Sequence, residues 1–190
     1  MSELHEVRRV ERGDVVDRAT YERERPAFRR RVMALKARRR IHLGEHLTFL
    51  FENFETLRYQ VQEMLRIERR DSEEDIAHEI ATYNGILGGP GGLGCTLLIE
   101  IDDPGRRDAL LRDWIELPEH LWAELEDGTL VRPTFDERQV GGDRLSSVQY
   151  LKLDCGGRVP VALGSDLPGL ELRAELTPVQ RKALAEDLAS

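Results

Sequence analysis

Residues 55–69, Glu-Thr-Leu-Arg-Tyr-Gln-Val-Gln-Glu-Met-Leu-Arg-Ile-Glu-Arg, repeat their apolar positions with the period of an α-helix. Leu57, Val61, Met64 and Leu65 fall on one side, and Tyr59, Gln62, Glu63 and Arg66 line the other. This is a two-sided helix: greasy toward an interior, chemically equipped on the opposite flank. Glu68 falls inside the apolar stripe, where an unpaired charge is costly, so it is expected to find a partner such as an arginine of the preceding helix.

Working outward, Ser72 with Asp75 starts another helix that carries Ile76 and Ile80 inward and stops near Asn84-Gly85. Upstream, Thr20 can cap a helix holding Phe28, Val32 and Leu35 and running to the Arg38-Arg39-Arg40 cluster, with Pro26 near its true start. Residues 1–20 are polar and aperiodic and read as a loosely ordered arm, leaving 21–190 as one globular domain. Residues 46–51 are aromatic and apolar enough for a strand. After a glycine-rich loop over 85–94 come a strand at 95–101 and a short helix at 106–114. Short strands follow at 120–126, 130–134, 147–154, 159–163 and 170–176, and Thr177-Pro178 opens a closing helix to residue 188. Helices crowd the first half and strands the second, which predicts a single-domain α+β fold with a largely antiparallel sheet.

The net charge of −8 conceals polarity along the chain. Residues 1–40 hold thirteen Arg or Lys against seven Asp or Glu, while the remainder holds fifteen against twenty-nine. Arginine outnumbers lysine throughout, so the basic first helix is weak evidence for nucleic acid, which is disfavoured as a partner. No stretch reaches the length needed to span a bilayer and the first residues lack the apolar core of a signal peptide, so a cytoplasmic protein is expected. Cys95 and Cys155 form no metal-type or redox-type pair and read as buried thiols.

Familiar catalytic signatures are absent or misplaced. Gly-Pro-Gly-Gly-Leu-Gly at 89–94 spells a dinucleotide fingerprint, but a helix precedes it and a strand follows, the reverse of what pyrophosphate binding needs. His42 and His46 are separated by Gly44, which denies the continuous helix of a zinc protease, and Asp75 with His78 has no second copy to complete a carboxylate-bridged metal site. No metal and no cofactor is expected. Ser146-Ser147 lacks a nucleophile elbow.

The polar ridge is therefore where function concentrates. Glu63 is the candidate general acid or base and Arg66 the candidate anion holder, with Tyr59 and Gln62 orienting a ligand. Arg66 with Arg69 and Arg70 can bind an anion, and Arg39 and Arg40 extend a basic surface for a partner.

Arg30-Arg31-Val32, Lys36, Arg39-Arg40, Leu43-Gly44, Thr48, Phe51-Glu52 and above all residues 59–68, with Tyr83-Asn84 and Leu98-Ile99-Glu100, resemble the bacterial family DUF3501, a domain of unknown function, over roughly residues 20–155. The resemblance implies a redox or peroxide-stress setting, with a rubrerythrin-like or iron-sulfur protein as partner, and assigns no activity. Two readings follow: a non-enzymatic accessory protein docking a partner through the basic first helix and the ridge, or a small-ligand binder or enzyme using Tyr59, Gln62, Glu63 and Arg66.

Overall fold

A computed structural model describes residues 7–136 and 139–189. The central helix forms as its periodicity predicts: α2 spans Phe54–Glu68, capped by Asn53, whose side chain accepts from Thr56 N. Leu57, Val61 and Leu65 face inward and pack with Ile76 of α3 (Glu73–Asn84), which Ser72 caps. Glu68 is exposed at the end of α2 and pairs with Arg70, not with an arginine of the first helix, because the apolar stripe has already left the core at Ile67.

The first helix, α1, spans Arg18–Ala37. Its cap is Asp17, which accepts from Thr20 N, so Thr20 lies inside the first turn. Pro26 sits within the helix, not at its start. Tyr21, Phe28 and Val32, buried at seven- and four-residue spacing, anchor both sides of the proline, and this packing outweighs the single backbone hydrogen bond that Pro26 cannot make.

The arm is not loose where it is described. From Val7 it runs along α2 and α3, burying Val10 and Val15 in their cluster. Asn84 hydrogen-bonds both the N–H and the carbonyl of Val10, and Gln62 does the same for Val16. Two side-chain amides thus serve the arm as a neighbouring strand would. Residues 1–6 lie outside the described residues.

The basic cluster after α1 is not its last turn. Arg39 turns inward at 2% exposure, and Arg40 already opens strand β1 (Arg40–Leu43), which Gly44, at φ +66°, turns into β2 (Leu47–Glu52). Strand β3 (Gly92–Ile99) begins within the glycine loop. Gly94 has no room for a side chain, since a Cβ there would lie 2.0 Å from the Ile86 carbonyl oxygen, and one on Gly88 would meet the backbone of Gly92. These glycines let residues 86–88 cross tightly over the start of β3.

Helix α4 (Pro104–Asp113) and the single-turn α5 (Leu117–His120) lead into β4 (Leu121–Leu125). The expected strand at 130–134 is two: β5 (Leu130–Val131) pairs with β4, whereas β6 (Thr134–Phe135) pairs with β7 (Val148–Asp154). Pro133, with no N–H to give a ladder, marks the switch. Strands β8 (Pro160–Leu167) and β9 (Leu170–Glu175) and helix α6 (Pro178–Leu188), capped by Thr177, complete the chain. Two antiparallel sheets result, ordered β1-β2-β3-β7-β6 and β5-β4-β8-β9. Their facing residues, with Leu111 of α4 and Leu184 of α6, make one core, so the fold is α+β with helices early and strands later. Cys95 and Cys155 are buried free thiols, and burial pushes Cys155 up to about 12. Among the described residues no helix is long and apolar enough to cross a membrane.

Candidate functional site

The polar flank of α2 does not face water along its length. Helix α1 and the arm lie across it, so Tyr59 and Gln62 are buried. Tyr59 meets Phe28 edge to face, with ring centroids 5.6 Å apart, and the Lys36 ammonium lies over its ring. Gln62 spends its amide on the backbone of Val16. The two residues are structural anchors of the α1–arm–α2 junction.

Glu63 is fully engaged. The Arg25 fork donates to it through Nε at 2.6 Å and Nη2 at 2.8 Å, and the Tyr21 hydroxyl donates at 2.7 Å. The Arg25 guanidinium, then the Tyr21 hydroxyl, hold the Glu63 carboxyl below the usual carboxylate range against the opposing effect of burial. The same contact raises Tyr21, for which burial is the larger cause. A carboxylate held this way has no proton to donate at neutral pH and its basicity is weakened.

Arg66, one turn further on, looks elsewhere. Its Nε donates to Glu22 at 2.6 Å, and its side chain reaches a cavity of about 350 Å³ between the arm, the N-terminus of α1 and the α2–α3 turn. Val16, Leu65 and Ile76 form apolar wall, and Tyr21 and Gln62 complete the inner surface. Four arginines line the cavity: Arg12, Arg18, Arg66 and Arg70. Asp17 and Asp71 join them.

Each of these arginines is held by a carboxylate that water also reaches. Arg12 pairs with Glu73, 74% exposed; Arg18 with Asp71, 64% exposed; Arg66 with Glu22, 47% exposed. Arg70 pairs with Glu68 and lies 4.0 Å from Glu79. Exposed pairs of this kind contribute about 0–1 kcal/mol and exchange readily. Arg18 is anomalous. Its Nε is one of two buried side-chain polar atoms among the described residues with no hydrogen-bond partner, an arrangement that costs about 1–3 kcal/mol. The positive end of the α1 dipole opens at the same place.

The structure thus brings Gln62 and Arg66 to one cavity and adds Arg70, already singled out as an anion ligand. It separates Glu63 and Tyr59, which face α1, and Arg69, which is exposed at φ +55°. Arg39 is remote and structural, its fork on Asp187 of α6 at 2.7 and 2.8 Å. Arg40 is exposed, and its carbonyl accepts from Gln180. Sequence reasoning missed Arg12 and Arg18; the signal available was the Asp17–Thr20 capping spacing, which starts α1 early enough to bring Arg18 to the mouth. His42 meets Thr48, which donates to Glu100, and Asp75 accepts from Ser72. Among the described residues no group of three or more His, Cys, Asp or Glu is arranged to hold a metal.

A crystal structure of a novel protein of unknown function from Burkholderia pseudomallei is similar over 95% of this chain and 99% of its own, at 27% identity and a TM-score of 0.86. No curated protein matches. Residues 9–188, which take in the arm and the closing helix as well as the central helix, match the family described as protein of unknown function DUF3501, and the chain belongs to that family.

Proposed function

We propose that this chain is a non-catalytic binding protein, an accessory component of a bacterial cytoplasmic redox or peroxide-stress system, that holds an anionic group in the cavity at the N-terminus of α1. The observation that carries the binding reading is an apolar-walled cavity lined by Arg12, Arg18, Arg66 and Arg70, each of which pairs with a carboxylate that water reaches. Binding, not catalysis, is favoured because Glu63, the one carboxylate of the ridge, is consumed by Arg25 and Tyr21. The redox setting rests on the family resemblance alone. Thermal unfolding in a panel of anions at constant ionic strength tests the binding reading. At least one organic or inorganic oxyanion raises the midpoint saturably, and Arg18→Gln with Arg66→Gln removes the effect. A midpoint that follows ionic strength alone, with chloride as effective as any oxyanion, overturns it.

A second reading, docking of an acidic protein surface such as that of a rubrerythrin-like or iron-sulfur partner, is favoured by the outward face of α1. Arg29 and Arg30 are exposed there and have no acidic partner among the described residues. Arg29→Glu with Arg30→Glu abolishes crosslinking to such a partner while sparing the anion effect; crosslinking that survives the charge reversal removes this reading.

A further inference from the structure

We infer that the cavity selects a small organic monocarboxylate with a short aliphatic body, taken up by the half-filled fork of Arg18. This rests on the anion-binding reading above and names its ligand class.

Among the described residues, Arg12 on Glu73, Arg25 on Glu63 and Arg39 on Asp187 each take the two oxygens of one carboxylate on Nε and Nη2 separately. Arg18 departs from that pattern. Its Nη2 alone meets Asp71, 3.0 Å from each of the two carboxylate oxygens, and its Nε, out of reach of water, donates to nothing. Both oxygens of Asp71 crowd onto one nitrogen, and the Nε arm of the fork, which its planar geometry would set on a second oxygen, is empty. Asp71 is exposed and weakly held, so Arg18 can swing about its stem, release Asp71 and present both N–H groups to a carboxylate entering the cavity.

The rest of the cavity separates a carboxylate from other anions. Asp17 and Asp71 line the same space and oppose a second negative charge, which disfavours a phosphate dianion. Val16, Leu65 and Ile76 give an inorganic oxyanion nothing to pair with, whereas each methylene buried against them raises affinity about fourfold. A volume of about 350 Å³ sits at the low end of the small-molecule range, which sets the size of the body.

Calorimetric titration of the intact chain with isovalerate, acetate, isovaleramide and inorganic phosphate tests the inference. Isovalerate binds saturably, about tenfold or more tighter than acetate, while isovaleramide and phosphate bind far more weakly. Arg18→Gln abolishes binding. Ala19→Trp, an exposed lining position on α1, blocks the mouth and abolishes it too, which keeps the test decisive if Arg18→Gln unfolds. Phosphate binding without isovalerate binding overturns the ligand class and leaves the anion reading standing. Isovaleramide binding as well as isovalerate overturns the role of the carboxylate. Heats indistinguishable from dilution for every anion overturn both.

Discussion

Glu63 and Arg66 lie three residues apart on one helix flank, and each forms an ion pair with α1, yet the two pairs do different work. Glu63 is 12% exposed, takes three hydrogen bonds and is sealed between Tyr21 and Arg25. Arg66 meets Glu22 at the rim of a cavity, where both partners touch water. Each is one half of an Arg–Glu pair between α1 and α2; what differs is how far α1 covers each position. A covered pair fixes the packing of two helices. An uncovered pair leaves a guanidinium that a ligand can claim at little cost.

The covered end of the comparison carries the largest expected effects. Arg39→Ala strips a buried pair and costs about 3–5 kcal/mol in urea unfolding; a loss below about 1 kcal/mol would place Arg39 with the exchangeable arginines instead. Glu63→Gln, in a covered pair less deeply buried than Arg39–Asp187, costs less, about 1–3 kcal/mol. Its pH dependence gives the sign. The folded carboxyl is held below its ordinary value, so its contribution is fully present above the unfolded carboxylate range, roughly pH 5 and up, and is lost as pH falls through the folded value. The stability gap between the parent and Glu63→Gln is therefore widest near neutrality and narrows in acid. A gap that widens in acid contradicts the arrangement.

Smaller effects sharpen the uncovered end. Arg69 ends α2 in the left-handed region, so Arg69→Gly stabilises the chain by about 0.5–1 kcal/mol and leaves anion binding intact. Arg66→Gln is the smallest in stability, with an unfolding midpoint unchanged within error, while it weakens the anion effect. Destabilisation as large as that of Glu63→Gln would mean that Arg66 is structural as well.

Much of this was legible in the sequence because it is local. Leu57, Val61 and Leu65 repeat with the helical period, and Asn84-Gly85, Ser72-Asp75 and Thr177-Pro178 punctuate helices by chemistry within one turn. Alternation in residues 148–154 announces a strand with one buried face. What stayed hidden depends on distant partners. The arm looks polar and idle because the groups that hold it, Gln62 and Asn84, come from α2 and α3. The ridge looks solvated because nothing within α2 reveals that Tyr21 and Phe28 will cover it. Arg39 reads as surface charge until Asp187, at the other end of the chain, closes on it. The cavity was half visible: Gln62, Arg66 and Arg70 are spaced on one flank, whereas Arg12 arrives with the arm and Arg18 with the first turn of α1.

The Nε–Hε resonances of the arginines report both ends of α2 in one spectrum. On titration of the intact chain with isovalerate, the Arg18 resonance moves saturably while those of Arg25 and Arg39, locked on Glu63 and Asp187, stay in place. An Arg18 resonance that does not move, or Arg25 and Arg39 resonances that move as far, would contradict the division between sealed and exchangeable guanidiniums.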